Sequence, residues 1–132
     1  MANALLDLFL SLLLIGSSPW MEREMAGVVI DVHTIELWEG LVAVRDNVLV
    51  VVEFASTSCV PCRDIVEDYA KLAAKYTDAR FIRADTRRLP EVASRLGIKI
   101  EPTFVLFRNG ARIYQLIGAN MEELDRQIQL HE

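Results

Sequence analysis

The sequence predicts an α/β fold with a central mixed sheet flanked by helices. Three observations carry that expectation. "VLVVVEF" (Val48–Phe54) is a β-branched run, as expected for a central strand covered on both faces. Around it, strand-like and helix-like segments alternate, which implies parallel strands joined by right-handed crossovers. Further on, "TFVLFR" and "ARIYQL" flank Asn109-Gly110, a type I′ hairpin signal that adds an antiparallel edge.

The elements follow in order. "GVVIDV" (Gly27–Val32) reads as a short strand. Thr34 caps a helix whose apolar face is Leu37, Trp38, Leu41 and Val42, and Asp46-Asn47 breaks the chain before the central strand. After the cysteines, Cys62, Ile65, Val66, Tyr69, Leu72, Ala73 and Tyr76 recur at steps of three and four. They form the buried stripe of one long amphipathic helix. "ARFIRAD" (Ala79–Asp85) is the next strand. "LPEVASRLG" (Leu89–Gly97) is a short helix, with Pro90 near its start and Gly97 just past its end. Asn120, with Glu123 three residues on, caps the last helix, "MEELDRQIQL".

A chain of 132 residues suits one domain with one sizeable core. Its formal charge of −5 argues against a nucleic-acid partner, which would call for a basic face. The first residues have a different texture. "ALLDLFLSLLLIGSSPW" (Ala4–Trp20) is strongly apolar but short for a membrane span, and no Lys or Arg precedes it. Two readings stand: a secretory signal or anchor in residues 1–18, or a packed or interfacial helix that associates with a membrane through residues 4–15. The chain therefore divides into an apolar extension, 1–25, and a folded domain, 26–132.

Both cysteines lie in "SCVPC" (Ser58–Cys62), between the central strand and the helix that follows. In open α/β sheets, sites form at the carboxyl ends of strands. Cys59 falls at or just before the first helical turn, where free N–H groups and the helix dipole favour a thiolate. Pro61 suits that first turn because its missing N–H has no helical partner to lose. Cys62, one turn on, faces inward. An exposed attacking thiol beside a sheltered resolving one is the arrangement of a redox pair. A zinc half-site is the weaker alternative, because His33 and His131 match no ligand spacing. His33 otherwise reads as a capping or surface residue, and Arg83, Arg87 and Arg88 as solvated charge. Glu53 interrupts the apolar run six residues before Cys59. Buried there it would have a raised pKa and could exchange a proton with a thiol; the alternative is a Glu53 facing solvent at the strand's end.

At CVPC, preceded by "VVVEF" and followed by "EPTFVLFRNG" and "IGAN", the sequence resembles a thioredoxin. "VIDVHTIELW" (Val29–Trp38) is similar to the opening of plant h-type thioredoxins in particular. The resemblance implies the thioredoxin fold and a protein-disulfide reductase, with Cys59 as nucleophile and Cys62 as resolving cysteine. It puts Glu53 where the family has a buried Asp, in a proton-transfer role toward Cys62. Pro102 matches the family's proline preceded by a cis peptide bond, and Ser58, Glu101, Pro102 and Gly118 fall at substrate-binding positions. Val60-Pro61 stands where the family has Gly-Pro and would tune the redox potential, while Ser58 replaces the family's Trp. The implied partners are protein disulfides and, as electron donor, a thioredoxin reductase or glutathione and glutaredoxin. No cofactor, metal or nucleic acid is implied. The implied compartment is the cytoplasm, or the secretory pathway if residues 1–18 act as a signal. Two alternative functions remain: a secretory disulfide oxidase or isomerase, and a non-catalytic peptide-binding module.

Overall fold

A computed structural model of the chain describes residues 23–132. The apolar stretch Ala4–Trp20, with its signal and interfacial-helix readings, lies outside the described residues. Five strands form one sheet in the order β1 (Val29–Val32), β3 (Arg80–Asp85), β2 (Val50–Ala55), β4 (Thr103–Arg108), β5 (Ala111–Ile117). As the alternation of elements implies, β1 and β2 both run parallel to β3. The hairpin strands follow the antiparallel expectation: β4 is antiparallel to β2, and β5 to β4.

The central strand is β2, and all six of its residues are buried. Because strand side chains alternate, Val50, Val52 and Phe54 enter one core and Val51 the other. The first core lies under helices α1 (Ile35–Leu41) and α4 (Pro90–Arg95), where Trp38 packs on Phe54 and meets Phe107 edge-on, with ring centroids 5.7 and 5.6 Å away. The second lies under α3 (Val66–Lys75) and α5 (Met121–His131), around Tyr69, Phe81 and Phe104. Glu53 shares the parity of Val51 and so faces the second layer.

The local signals act as expected at most ends. The Thr34 side chain accepts a hydrogen bond from the Leu37 N–H, and Asn120 accepts one from Glu123. Pro90 opens α4, and Gly97 follows its end at φ 70°. One expectation needs correction. The stripe from Cys62 to Tyr76 is not one helix but two, α2 (Val60–Asp64) and α3, divided at Ile65 with φ −106° and ψ 7°. No Pro or Gly marks this break, so the three-and-four spacing runs through it unchanged. The break also turns Val66 out of the stripe, and it is 43% exposed.

The hairpin closes tightly onto the rest of the molecule. Asn109 and Gly110 both have positive φ, 54° and 78°, as a type I′ turn requires. A Cβ on Gly110 would lie 2.9 Å from the Ala43 carbonyl oxygen, a backbone atom that cannot swing aside. Gly110→Ala therefore combines backbone strain with a steric clash. It should lower stability by more than about 1 kcal/mol, read as a drop in urea midpoint at unchanged slope.

Candidate active site

Five segments converge at the end of β2. Ala55, its last residue, pairs with Asp85 of β3, and its carbonyl accepts the Thr86 N–H at 3.1 Å. On the other side Phe54 pairs with Thr103, which brings Pro102 alongside Ala55. Ala55 itself packs against Cys59 and Cys62 in a small buried cluster. Gly118 joins the same rim by donating its N–H to the Pro102 carbonyl at 2.9 Å. The peptide bond before Pro102 is cis, as the sequence resemblance implies. Ser58, Cys59, Cys62, Glu101, Pro102 and Gly118 are thus brought to one end of the sheet, with Glu53 two residues inside it.

Cys59 and Cys62 form a disulfide, with Cα atoms 5.3 Å apart. Cys59 is the N-cap of α2, and Pro61 lies in the first turn. The Cys62 N–H points at the Cys59 sulfur at 3.1 Å. That donor would stabilise a thiolate on Cys59 once the pair is reduced. The contrast in exposure expected between the two cysteines is slight, at 9% and 5%. Val60, between them, is 54% exposed and presents an apolar side chain beside the sulfurs.

Glu53 is fully buried, so the reading in which it faces solvent does not hold. The parallel register aligns Asp31, Arg83 and Glu53 across β1, β3 and β2. Side chains aligned in this way on one face lie within reach of each other. Arg83 donates from Nε to Glu53 Oε1 at 3.0 Å and from a terminal nitrogen to Asp31 Oδ1 at 3.4 Å. Glu53 Oε2 is closed to solvent and has no partner among the described residues. Loss of hydration raises the Glu53 pKa, and the Arg83 cation pulls the other way without overcoming it. Beneath the pair, the buried Tyr69 hydroxyl lies 2.8 Å from the Ile82 carbonyl and 3.1 Å from that of Val51. A cavity of about 260 Å³ opens beside the disulfide; Arg83, Asp31, Arg63 and Cys62 are among its walls, so the Arg83–Asp31 end of the charged row and Cys62 share one space.

Of the three arginines read as solvated charge, Arg87 and Arg88 are exposed and only Arg83 departs from that reading. Arg83 is mostly buried and paired. Arg87 donates to the Ser58 hydroxyl at 2.6 Å, and Arg88 meets the exposed His33 at 3.2 Å. The clue in the sequence was positional. Arg83 lies two residues before the end of its strand, as Glu53 does in the neighbouring strand, and parallel pairing makes such positions adjacent. Among the described residues no group of three or more His, Cys, Asp or Glu side chains is arranged to hold a metal ion.

Comparison with known proteins agrees with this geometry. The sequence model of the family described as Thioredoxin matches residues 29–130. Thioredoxin H1 of Arabidopsis thaliana is 37% identical over 107 residues, covering 80% of this chain and 94% of that protein. The crystal structure of thioredoxin NaTrxh from Nicotiana alata superposes with a TM-score of 0.75 at 32% identity, over 89% of this chain and 99% of that one. A chain from the crystal structure of a ferredoxin:thioredoxin reductase and thioredoxin f2 complex gives a TM-score of 0.73 at 27% identity, over 80% and 96% of the two chains.

The raised Glu53 pKa makes a prediction about stability. Between the ordinary glutamate value and the raised native value, the folded protein holds a proton that the unfolded chain has released. Its stability must therefore fall as pH rises through that window. Glu53→Gln lacks this titration. The urea-midpoint difference, Gln variant minus wild type, should grow as pH rises through the window and then level off. A difference independent of pH between 4 and 9 would show that Glu53 does not titrate in this way.

Proposed function

The chain belongs to the thioredoxin family, and we propose that this thiol–disulfide oxidoreductase reduces partner proteins with Cys59 as nucleophile and Cys62 as resolving cysteine. One observation carries the assignment: the Cys62 N–H directed at the Cys59 sulfur from the first turn of α2. In the reduced protein the Cys59 thiolate attacks one sulfur of a partner disulfide and expels the other as a thiolate, leaving a mixed disulfide. Cys62 then loses its proton and attacks the Cys59 sulfur. The Cys59–Cys62 disulfide forms, and the second partner sulfur leaves. Two electrons pass from the dithiol to the partner, and the two partner thiolates are protonated through solvent, which balances the protons that Cys59 and Cys62 release.

Glu53 is the proposed acceptor of the Cys62 proton. A raised carboxyl is a stronger base than an ordinary one, and Arg83, which is bonded to Glu53, lines the same cavity as Cys62. Ser58, Glu101, Pro102 and Gly118 form the proposed rim on which the partner chain lies, and Val60-Pro61 the segment that tunes the potential. The proposed domain comprises residues 26–132, with 1–25 as an apolar extension. The proposed electron donor is a thioredoxin reductase, the kind of enzyme found in complex with thioredoxin f2; glutathione with glutaredoxin is the second. The cytoplasm is the proposed compartment, where reducing poise keeps a dithiol of this kind charged with electrons; the secretory pathway is the alternative. Among the described residues no helix is long and apolar enough to cross a membrane.

The two cysteines differ in role, and trapping tests the difference. With Cys62→Ser the mixed disulfide forms and cannot resolve, so covalent partner adducts should accumulate on non-reducing gels. Cys59→Ser should trap almost none, and equal trapping by both would overturn the assignment. In the same assay Glu53→Gln should prolong the life of the mixed disulfide without slowing its formation.

A further inference from the structure

Ser58 immediately precedes Cys59 and is exposed, and its hydroxyl accepts a hydrogen bond from the Arg87 guanidinium at 2.6 Å. The Ser56 hydroxyl lies 3.2 Å from that of Ser58, and the Ser56 carbonyl accepts the Cys59 N–H at 3.2 Å. A tight turn, Ser56 to Cys59, thus carries the guanidinium one residue from the sulfur. The backbone of Arg87 is held as well, because its N–H donates to Asp85 Oδ1 at 2.9 Å. The other oxygen of Asp85 faces Arg88 at 3.9 Å. Among the described residues the Arg87 guanidinium has no carboxylate partner, although the chain as a whole is acidic. It therefore keeps its full charge and most of its five N–H donors, in a fork that matches a carboxylate.

The position is asymmetric. Arg87 stands on the β3 flank of the dithiol, and Glu101, next to Pro102, stands on the β4 flank with one carboxylate oxygen closed to solvent and without a partner among the described residues. Val60, between the two cysteines in sequence, is exposed and offers the partner an apolar contact. We infer that Arg87, held by Ser58, is a specificity-determining residue that selects partner proteins with an aspartate or glutamate beside the cysteine under attack. The inference rests on the dithiol chemistry proposed above. A carboxylate docked on Arg87 makes a charge-assisted, bidentate contact and brings its neighbouring disulfide over Cys59. The small Ser58 side chain leaves that approach open.

The test uses the full reduced chain with three small disulfides: dithiodiglycolate, which is anionic, cystamine, which is cationic, and neutral bis(hydroxyethyl) disulfide. The quantity read is the ratio of second-order rates, anionic over cationic, at fixed pH and low salt. One thiolate attacks both probes, so a change in its population cancels. Arg87→Gln should lower the ratio about three- to tenfold, and Arg87→Glu further. Ser58→Ala, which frees the guanidinium but keeps its charge, should give part of the loss. Arg112→Gln makes the same change in net charge near the hairpin turn, at the far end of β5, and should leave the ratio alone. Molar salt should erase the preference. Ratios unchanged in both Arg87 variants, or an equal drop in Arg112→Gln, would overturn the inference while leaving the dithiol reading intact. Failure of the wild type to reduce even the neutral disulfide would contradict the dithiol reading itself, and the inference with it.

Discussion

Strand β2 is enclosed on both edges by β3 and β4 and on both faces by helices, and every residue in it is buried. A strand in that position has no freedom of register, since a slip of one residue would exchange its two faces. Its end at Ala55 is therefore a fixed point. Cys59 and Cys62 pack on that residue, Thr86 bonds to its carbonyl, and Pro102 lies alongside it. The site owes its precision to the sheet rather than to the five-residue helix that carries the cysteines.

The same enclosure gives Glu53 its character. A carboxyl on a core strand must find compensation, because a lone buried charge is far costlier than a paired one. Compensation comes from Arg83 at the adjacent register position, whose outer end is tied to Asp31. It is incomplete: one oxygen has no partner among the described residues, and burial wins over the cation in setting the direction of the pKa. Such a group is poorly placed for stability and well placed to take a proton. Arg87 shows the complementary case at the surface, where a cation is held by a hydroxyl and, among the described residues, has no carboxylate partner.

Much of this was legible in the residues. The β-branched run, the Asn109-Gly110 turn and the Thr34 and Asn120 caps are local signals with local causes, and each element they announce is present. The cysteine pair was legible for the same reason, since Pro61 and the strand-to-helix junction are neighbours in sequence. The break at Ile65 left no mark, because apolar spacing of three and four is common to one helix and to two in succession. Arg83 was misread as solvated because its partner, Glu53, lies 30 residues away. Only the parallel register brings such pairs together, and no local pattern encodes it.

The central claim is that a dithiol held at the end of β2 passes electrons to protein disulfides. Insulin reduction with dithiothreitol as the electron source tests it most directly. The account predicts that the full chain precipitates the insulin B chain well ahead of dithiothreitol alone, and that Cys59→Ser abolishes the acceleration. A wild-type rate no higher than that of dithiothreitol alone would contradict the account.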